Sequence, residues 1–232
     1  GYQECIAGAL PQTNALLAEK GCQKQFDNLI GFTFGTGFGC GITRNRELYI
    51  GDNSCAGEII MMRHKHKRDI IVEDGVSIRA IKRVYHEHCQ DERDLTPYDI
   101  FRIGKGELEG EQTAALKAFE EFGEVAGDGI AQAITLLDGL IVLGGGLCGG
   151  KELFMPALLN ELNGNDIGDL NGRRKDRLHM KVYNLDDAAG LEAFCASKTH
   201  KIPVPGSRRL GNGKTLKVCG CCENNLRGID AE

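Results

Sequence analysis

The sequence predicts a mixed α/β domain, and three observations point to it. Three short β-type segments separated by turns lie within residues 29–51. A long amphipathic helical pattern runs over Gln112–Leu137. Directly after it comes the fully apolar run Leu140-Ile141-Val142-Leu143, closed by Gly144-Gly145-Gly146. A meander, then helix, buried parallel strand, glycine loop and helix, is the order of a mixed sheet with flanking helices.

The bulk numbers are compatible with one sizeable core. The chain has 232 residues, 41% of them hydrophobic and 26% charged, with a formal net charge of −5. That balance offers no general basic field for nucleic acid or anionic lipid. The longest apolar stretch, residues 130–143, is interrupted by Gln132, Asp138 and Gly139 and is too short and polar to span a bilayer. With no secretory leader at the start, a cytoplasmic protein is expected. The chain opens at GYQECIAGAL without Met, which reads as the middle of a helix and therefore as a fragment. Ten Cys are many for this length, and most are scattered singly through apolar or glycine-rich text. They read as small hydrophobes in a reducing compartment rather than as a disulfide framework.

Taken in order, residues 2–20 carry helix formers, with Pro11 expected to break or kink them. Leu29–Phe34 is rich in branched and aromatic residues and reads as a strand; residues 41–44 and 48–51 follow across Gly turns and the Asn45-Arg46 link. Residues 75–88 return to helical spacing, with Ile78, Ile81, Val84 and Tyr85 on one side. Thr96-Pro97 with Asp99 marks a helix start. Residues 151–162 read as helical, and HMKVY at 179–183 alternates as a late or edge strand would. The text after about residue 206 has no sustained apolar periodicity, so residues 1–206 are assigned to the domain and 207–232 to an atypical tail.

Two glycine-rich segments could hold a ligand. In GFTFGTGFGCGI (31–42), Gly35, Gly37, Gly39 and Gly41 alternate around Thr36. Such a turn frees backbone N–H groups and removes side chains, so a di- or triphosphate can sit against the peptide, with the Thr36 hydroxyl as a further donor. The spacing is not that of a dinucleotide fingerprint, and a ligand-free bulged hairpin is the competing reading. In IVLGGGLCGGKE (141–152) the glycines lie between a strand and a helix, where open α/β sheets bind ligands. Gly145, Gly150 and Lys151 nearly match a P-loop, but Glu152 stands where a magnesium-binding hydroxyl is required. The preferred reading is a loop on which the base and ribose of a nucleotide lie flat; a plain tight turn is the alternative.

Together these segments resemble the ROK (repressor, ORF, kinase) family of sugar kinases and sugar-responsive repressors. GFTFGTGFGCGI is similar to the family's second phosphate motif and LYIGDNSCAGEI to the strand and loop after it. VEDGVSIRAIKRVY is similar to the helix after the sugar loop, and DGLIVLGGGLCGG to the adenosine motif. The resemblance implies an actin-like ATPase (ribonuclease H-like) fold, this chain being mainly the C-terminal lobe of a two-lobed, glucokinase-like enzyme. It implies transfer of the ATP γ-phosphoryl group to a hexose or amino-hexose, with Mg2+ as cofactor and a homodimer as assembly. Gly35, Thr36 and Gly37 then fall where ATP phosphates are held, Gly144, Gly145 and Gly146 where adenosine packs, and Glu58 and Glu73 where sugar hydroxyls bind. A carboxylate suits that last role because it accepts hydrogen bonds from two vicinal hydroxyls. A surface or cap acid remains the plain alternative for Glu58, and a solvated acid for Glu73.

Three departures qualify the resemblance. After Glu58 the family's Gly-His and zinc-binding Cys loop are replaced by Ile60-Met61 and the basic run 63–68, so no structural zinc is expected. His64, His66, His86, His88 and Cys89 are interleaved with cations that oppose metal binding, and the run itself reads as a solvated loop. The family's catalytic Asp and first phosphate motif are expected upstream of this text, so no catalytic residue is assigned here. A closing helix is replaced by a tail with Cys219-Gly220-Cys221-Cys222. A sugar-sensing repressor domain and a P-loop nucleotide binder stand as alternative functions.

Overall fold

Side-chain alternation along the strand Leu29–Phe34 (β1) decides how the sheet is covered. Ile30, Phe32 and Phe34 point into the larger core, whereas Leu29 joins a smaller one on the opposite face. The computed structural model describes residues 2–22 and 24–196, with side chains from residue 8 on, together with the backbone of 199–203 and 215–219. β1 pairs antiparallel with β2 (Phe38–Arg44), in register from Leu29↔Thr43 to Phe34↔Phe38. β2 pairs antiparallel with β3 (Glu47–Tyr49). β4 (Leu140–Gly144) lies parallel to β1 on its other side, giving the order β3-β2-β1-β4. The predicted meander and parallel strand therefore form one mixed sheet, although in β4 only Leu140 is buried and the remaining residues are half-buried.

The Asn45-Arg46 link is tight because both residues take positive φ, 52° and 68°. That is the twist a two-residue hairpin needs, and Asn tolerates it better than Arg. Arg46 is held there by its N–H on Asp27 O at 2.8 Å and its Nε on Asp27 Oδ1 at 2.6 Å.

A parallel neighbour requires a crossover, and α2 (Ile78–Glu87), α3 (Pro97–Gly104) and α4 (Gln112–Leu137) lie within it. The α3 start is the predicted one: Thr96 and Asp99 cap each other reciprocally, with Pro97 at the first position. α4 packs along α5 (Lys151–Asn163), and Gly123 and Gly127 make the approach close. A methyl on Gly123 would overlap Phe154 O and stand 3.0 Å from Ala157 Cβ. Phe34, Phe119, Phe122 and Phe154 are almost fully enclosed in this core; burying each contributes about 1.5–3 kcal/mol. On the opposite face, Leu10 and Leu17 of α1 (Tyr2–Glu19) meet Leu29 and Leu140, with Leu191 and Phe194 of α6 (Ala188–Ala196) packed on them. None of the described helices is long and apolar enough to cross a membrane.

Four local expectations fare differently. Of the break or kink expected at Pro11, the break does not occur: α1 runs through it, the missing N–H costing one backbone bond while the buried Leu10 and Leu17 hold both sides. Residues 179–183 form no strand. The Val182 N–H donates to Asn163 Oδ1 at 2.8 Å and its carbonyl accepts from Asn163 Nδ2 at 3.0 Å, so a side-chain amide takes the place of a ladder partner. Cys40 is buried, which pushes its thiol up to about 12, and Cys22, Cys89, Cys148 and Cys195 are half-buried, but Cys55 is exposed. The tail lies outside the described residues, apart from the backbone of β8 (Thr215–Cys219), which pairs with β7 (Thr199–Pro203). A small hairpin of β5 (Ile167–Gly168) and β6 (Arg174–Lys175) completes the described chain.

Candidate functional site

The first glycine turn is fixed by what flanks it. Phe34 and Phe38, both fully buried, end β1 and begin β2, with ring centroids 5.7 Å apart. Phe34 also meets Phe122 and Phe154 edge-on at 5.2 and 5.7 Å. Between these anchors Gly35, Thr36 and Gly37 are left to turn. The Gly35 N–H bonds Gly37 O at 3.1 Å, and Gly35 O accepts the Ile78 N–H from the first turn of α2 at 2.9 Å. Ser77 caps that helix by accepting the Ala80 N–H. The Thr36 side chain is exposed, and a methyl on Gly35 would meet nothing within 4 Å, so this backbone borders open space.

The second glycine loop reaches the same edge through the parallel pairing. Thr33 registers with Gly144, and Gly145 follows with φ of 95°. A β-carbon on Gly145 would overlap Phe34 O and lie 2.8 Å from Phe34 N. Only glycine can take that path. The loop thus rests on the residue immediately before Gly35, and the two predicted sites are brought together at the carboxyl ends of adjacent parallel strands. Gly146 and Gly149 have nothing within 4 Å of an added methyl, which extends the open wall.

Lys151 does not behave as a P-loop lysine. Its Nζ pairs with Asp186 Oδ2 at 2.5 Å, and Glu152 pairs with Lys105 at 2.5 Å. A one-turn 3-10 helix over Gly146–Gly150 also intervenes before α5, so the phosphate-cradling turn of that motif is not formed.

The two acids expected at the sugar lie at neighbouring one-turn 3-10 helices that pack on each other, Glu58 just before Ile59–Met61 and Glu73 within Val72–Asp74. The Val72 N–H to Met62 O bond at 2.7 Å and the His64 N–H to Ile70 O bond at 3.0 Å close the loop between them. Glu58 is exposed and caps nothing with its side chain. Gly57, at φ 89°, carries it across β2; a β-carbon there would come 2.7 Å from Cys40 O. Glu73 has moved further in, with Oε2 accepting the Phe38 N–H at 3.2 Å. Its other oxygen faces Arg79 Nη2 at 3.6 Å. Composition gave no signal for that contact between Glu73 and the glycine turn, and it left Arg79 unnoticed.

The basic run is fastened rather than free. Lys65 pairs with Glu161 at 2.5 Å and His66 with Glu124 at 3.0 Å. His64 is buried, and its Nδ1 accepts the N–H groups of His66 and Lys67 at 3.1 and 3.3 Å. Desolvation, then the charges of His66, Lys67 and Arg83, lower its pKa against the opposing pull of Glu121. Among the described residues no three His, Cys, Asp or Glu side chains gather as a metal would require.

This mixed sheet with flanking helices, its glycine loops on the ends of adjacent parallel strands, has the actin-like ATPase fold. The chain belongs to the ROK family, whose model matches residues 12–165. A glucokinase from Parabacteroides distasonis is 40% identical, with a TM-score of 0.78, over 95% of this chain and 58% of that one. The chain therefore spans less than two thirds of that relative's length. A protein from Cytophaga hutchinsonii, described as a sugar kinase by assignment, is 25% identical with a TM-score of 0.51 over 63% of this chain and 51% of its own. A ROK family protein from Streptococcus pneumoniae, solved with sucrose, shares the fold at 18% identity and a TM-score of 0.52, over 71% and 55% of the two chains. No curated protein matches the sequence.

Proposed function

We propose that this chain is the nucleotide-holding lobe of an ATP-dependent kinase that phosphorylates a hydroxyl of a hexose or amino-hexose. The observation that carries the reading is the contact of Gly145 with Phe34, which sets the two glycine loops side by side. One ATP molecule can then lie along the sheet edge. The Thr36 hydroxyl and the backbone N–H groups of Thr36 and Gly37 receive its phosphates over the bare turn at Gly35, and Gly144, Gly145 and Gly146 offer a bare surface for adenosine. Glu58 and Glu73 accept hydrogen bonds from sugar hydroxyls; Glu73 keeps Oε1 for that purpose while Oε2 holds the turn.

Phosphoryl transfer of this type depends mainly on positioning and charge neutralisation. This lobe supplies positioning. The group that takes the proton from the attacking hydroxyl is assigned to the remainder of the protein, where the family resemblance places the catalytic Asp. Magnesium is expected to arrive with the triphosphate, whose oxygens supply much of its coordination. The P-loop alternative gains nothing from the pairing of Lys151 with Asp186. An assay of ADP release by the full-length protein across a panel of hexoses and amino-hexoses tests the proposal. Sugar-dependent turnover is expected with at least one of them, and its absence with all refutes the reading.

A further inference from the structure

Glu73 makes a contact that the proposed reaction does not use. Its Oε2 accepts the Phe38 N–H at 3.2 Å, and its carboxyl carbon lies 2.9 Å from where a β-carbon of Gly37 would stand. The missing side chain at Gly37 thus makes room for a protein carboxylate as well as for a ligand. One charged group is paired with that carboxylate. Arg79 Nη2 is 3.6 Å from Glu73 Oε1 and 3.8 Å from Asp74 Oδ1, so Arg79 is shared between two acids. The Arg79 side chain is 69% exposed and that of Glu73 22%, and an exposed cation screened by water offsets a more enclosed anion only in part. A negative charge is therefore fixed against the same turn that is read as the seat of the nucleotide phosphates.

We infer that Glu73 is an electrostatic gate on the glycine turn. Its hydrogen bond to the Phe38 N–H shapes the turn, and its charge holds down the affinity for anions there. The inference rests on the reading of Gly35, Thr36 and Gly37 as the phosphate seat. Repulsion of this kind grows with the charge of the ligand and shrinks as salt screens it. It is separable from a structural role, because Gln at this position keeps an acceptor oxygen for Phe38 and removes the charge.

The test is calorimetric titration of the 232-residue chain with adenosine, ADP and the imido analogue of ATP, at low and high salt. Glu73→Gln should tighten the ATP analogue about tenfold at low salt, ADP less, and adenosine not at all. The gain should fall in high salt. Glu73→Ala, which also removes the acceptor, should speed hydrogen exchange at the Phe38 amide. Failure of both wild type and Glu73→Gln to bind any of the three ligands overturns the phosphate seat and the gate together. If wild type binds, and Thr36→Val weakens the ATP analogue while Glu73→Gln does not tighten it, the seat stands and the gate is refuted. An equal gain for adenosine refutes it too. So does loss of the gain in an Arg79→Gln, Glu73→Gln double variant, which would credit the freed guanidinium instead.

Discussion

Gly145→Ala is the substitution that separates the two glycine loops. At φ 95° and ψ 165° the residue lies in a region essentially reserved for glycine, and placing Ala there costs about 1–3 kcal/mol in backbone strain alone. The added methyl also collides with Phe34 O. Relief requires the loop to lift off β1 or Phe34 to shift, and Phe34 is locked between Phe38, Phe122 and Phe154. Adding that displacement gives a total loss of about 2–4 kcal/mol. For a domain of this size the midpoint of thermal unfolding should drop by about 4–16 °C. Gly146→Ala is the matched control, because a methyl there meets nothing within 4 Å and the residue lacks a positive φ. It should leave stability within about 0.5 kcal/mol and yet weaken nucleotide binding by narrowing the wall proposed for adenosine. Thermal unfolding followed by circular dichroism, paired with titration of an ATP analogue, reads both effects. Equal stability of Gly145→Ala and Gly146→Ala would refute the claim that Gly145 is pinned on Phe34.

Thr36→Val should leave unfolding within about 0.5 kcal/mol, since the side chain is exposed, while lowering affinity for the ATP analogue several-fold in the same titration. Lys151→Ala should leave nucleotide affinity unchanged, because the ammonium is engaged with Asp186 on the surface; loss of binding would restore the P-loop reading. For His64 the folded pKa lies below its ordinary value of 6.5, so the unfolded chain takes up the proton first. Its contribution to stability is complete above that value and is lost as pH falls from there through the lower folded pKa. His64→Asn, which retains an acceptor for the His66 and Lys67 N–H groups, should flatten the fall in melting temperature between about pH 7 and pH 5; an unchanged slope would assign it to other groups.

What the sequence made legible follows from which signals are local. The β1–β2–β3 meander, the start of α3 and the whole of α4 were readable because each depends on neighbours a few residues apart: Asn45 at a turn, Thr96 with Asp99, apolar residues every three to four along Gln112–Leu137. The path through Pro11 was not readable, because it is decided by Leu10 and Leu17 meeting Leu29 and Leu140 from distant parts of the chain. The alternating HMKVY segment misled for the same reason, since Asn163 satisfies the backbone of Val182 from the end of another helix. In the site, the glycines identified themselves by composition, but the reason Gly145 must be glycine is the carbonyl of Phe34. No spacing rule could supply that.

The same division explains why the site is built on backbone. A side-chain phosphate ligand would have to be held by its own packing, whereas the Gly35–Gly37 turn is held by three elements already committed to the fold. The buried Phe34 and Phe38 clamp its ends, the Ile78 N–H ties it to α2, and Glu73 ties it to the 3-10 turn Val72–Asp74. A ligand-induced shift in that loop must therefore be felt at the turn, because Glu73 cannot move without releasing the Phe38 N–H. Interactions sharing one hydrogen-bonded cluster are not additive. Glu73→Ala and Thr36→Val, introduced together, should consequently change nucleotide affinity by an amount that differs from the sum of their separate effects, whereas either one combined with Lys151→Ala should add.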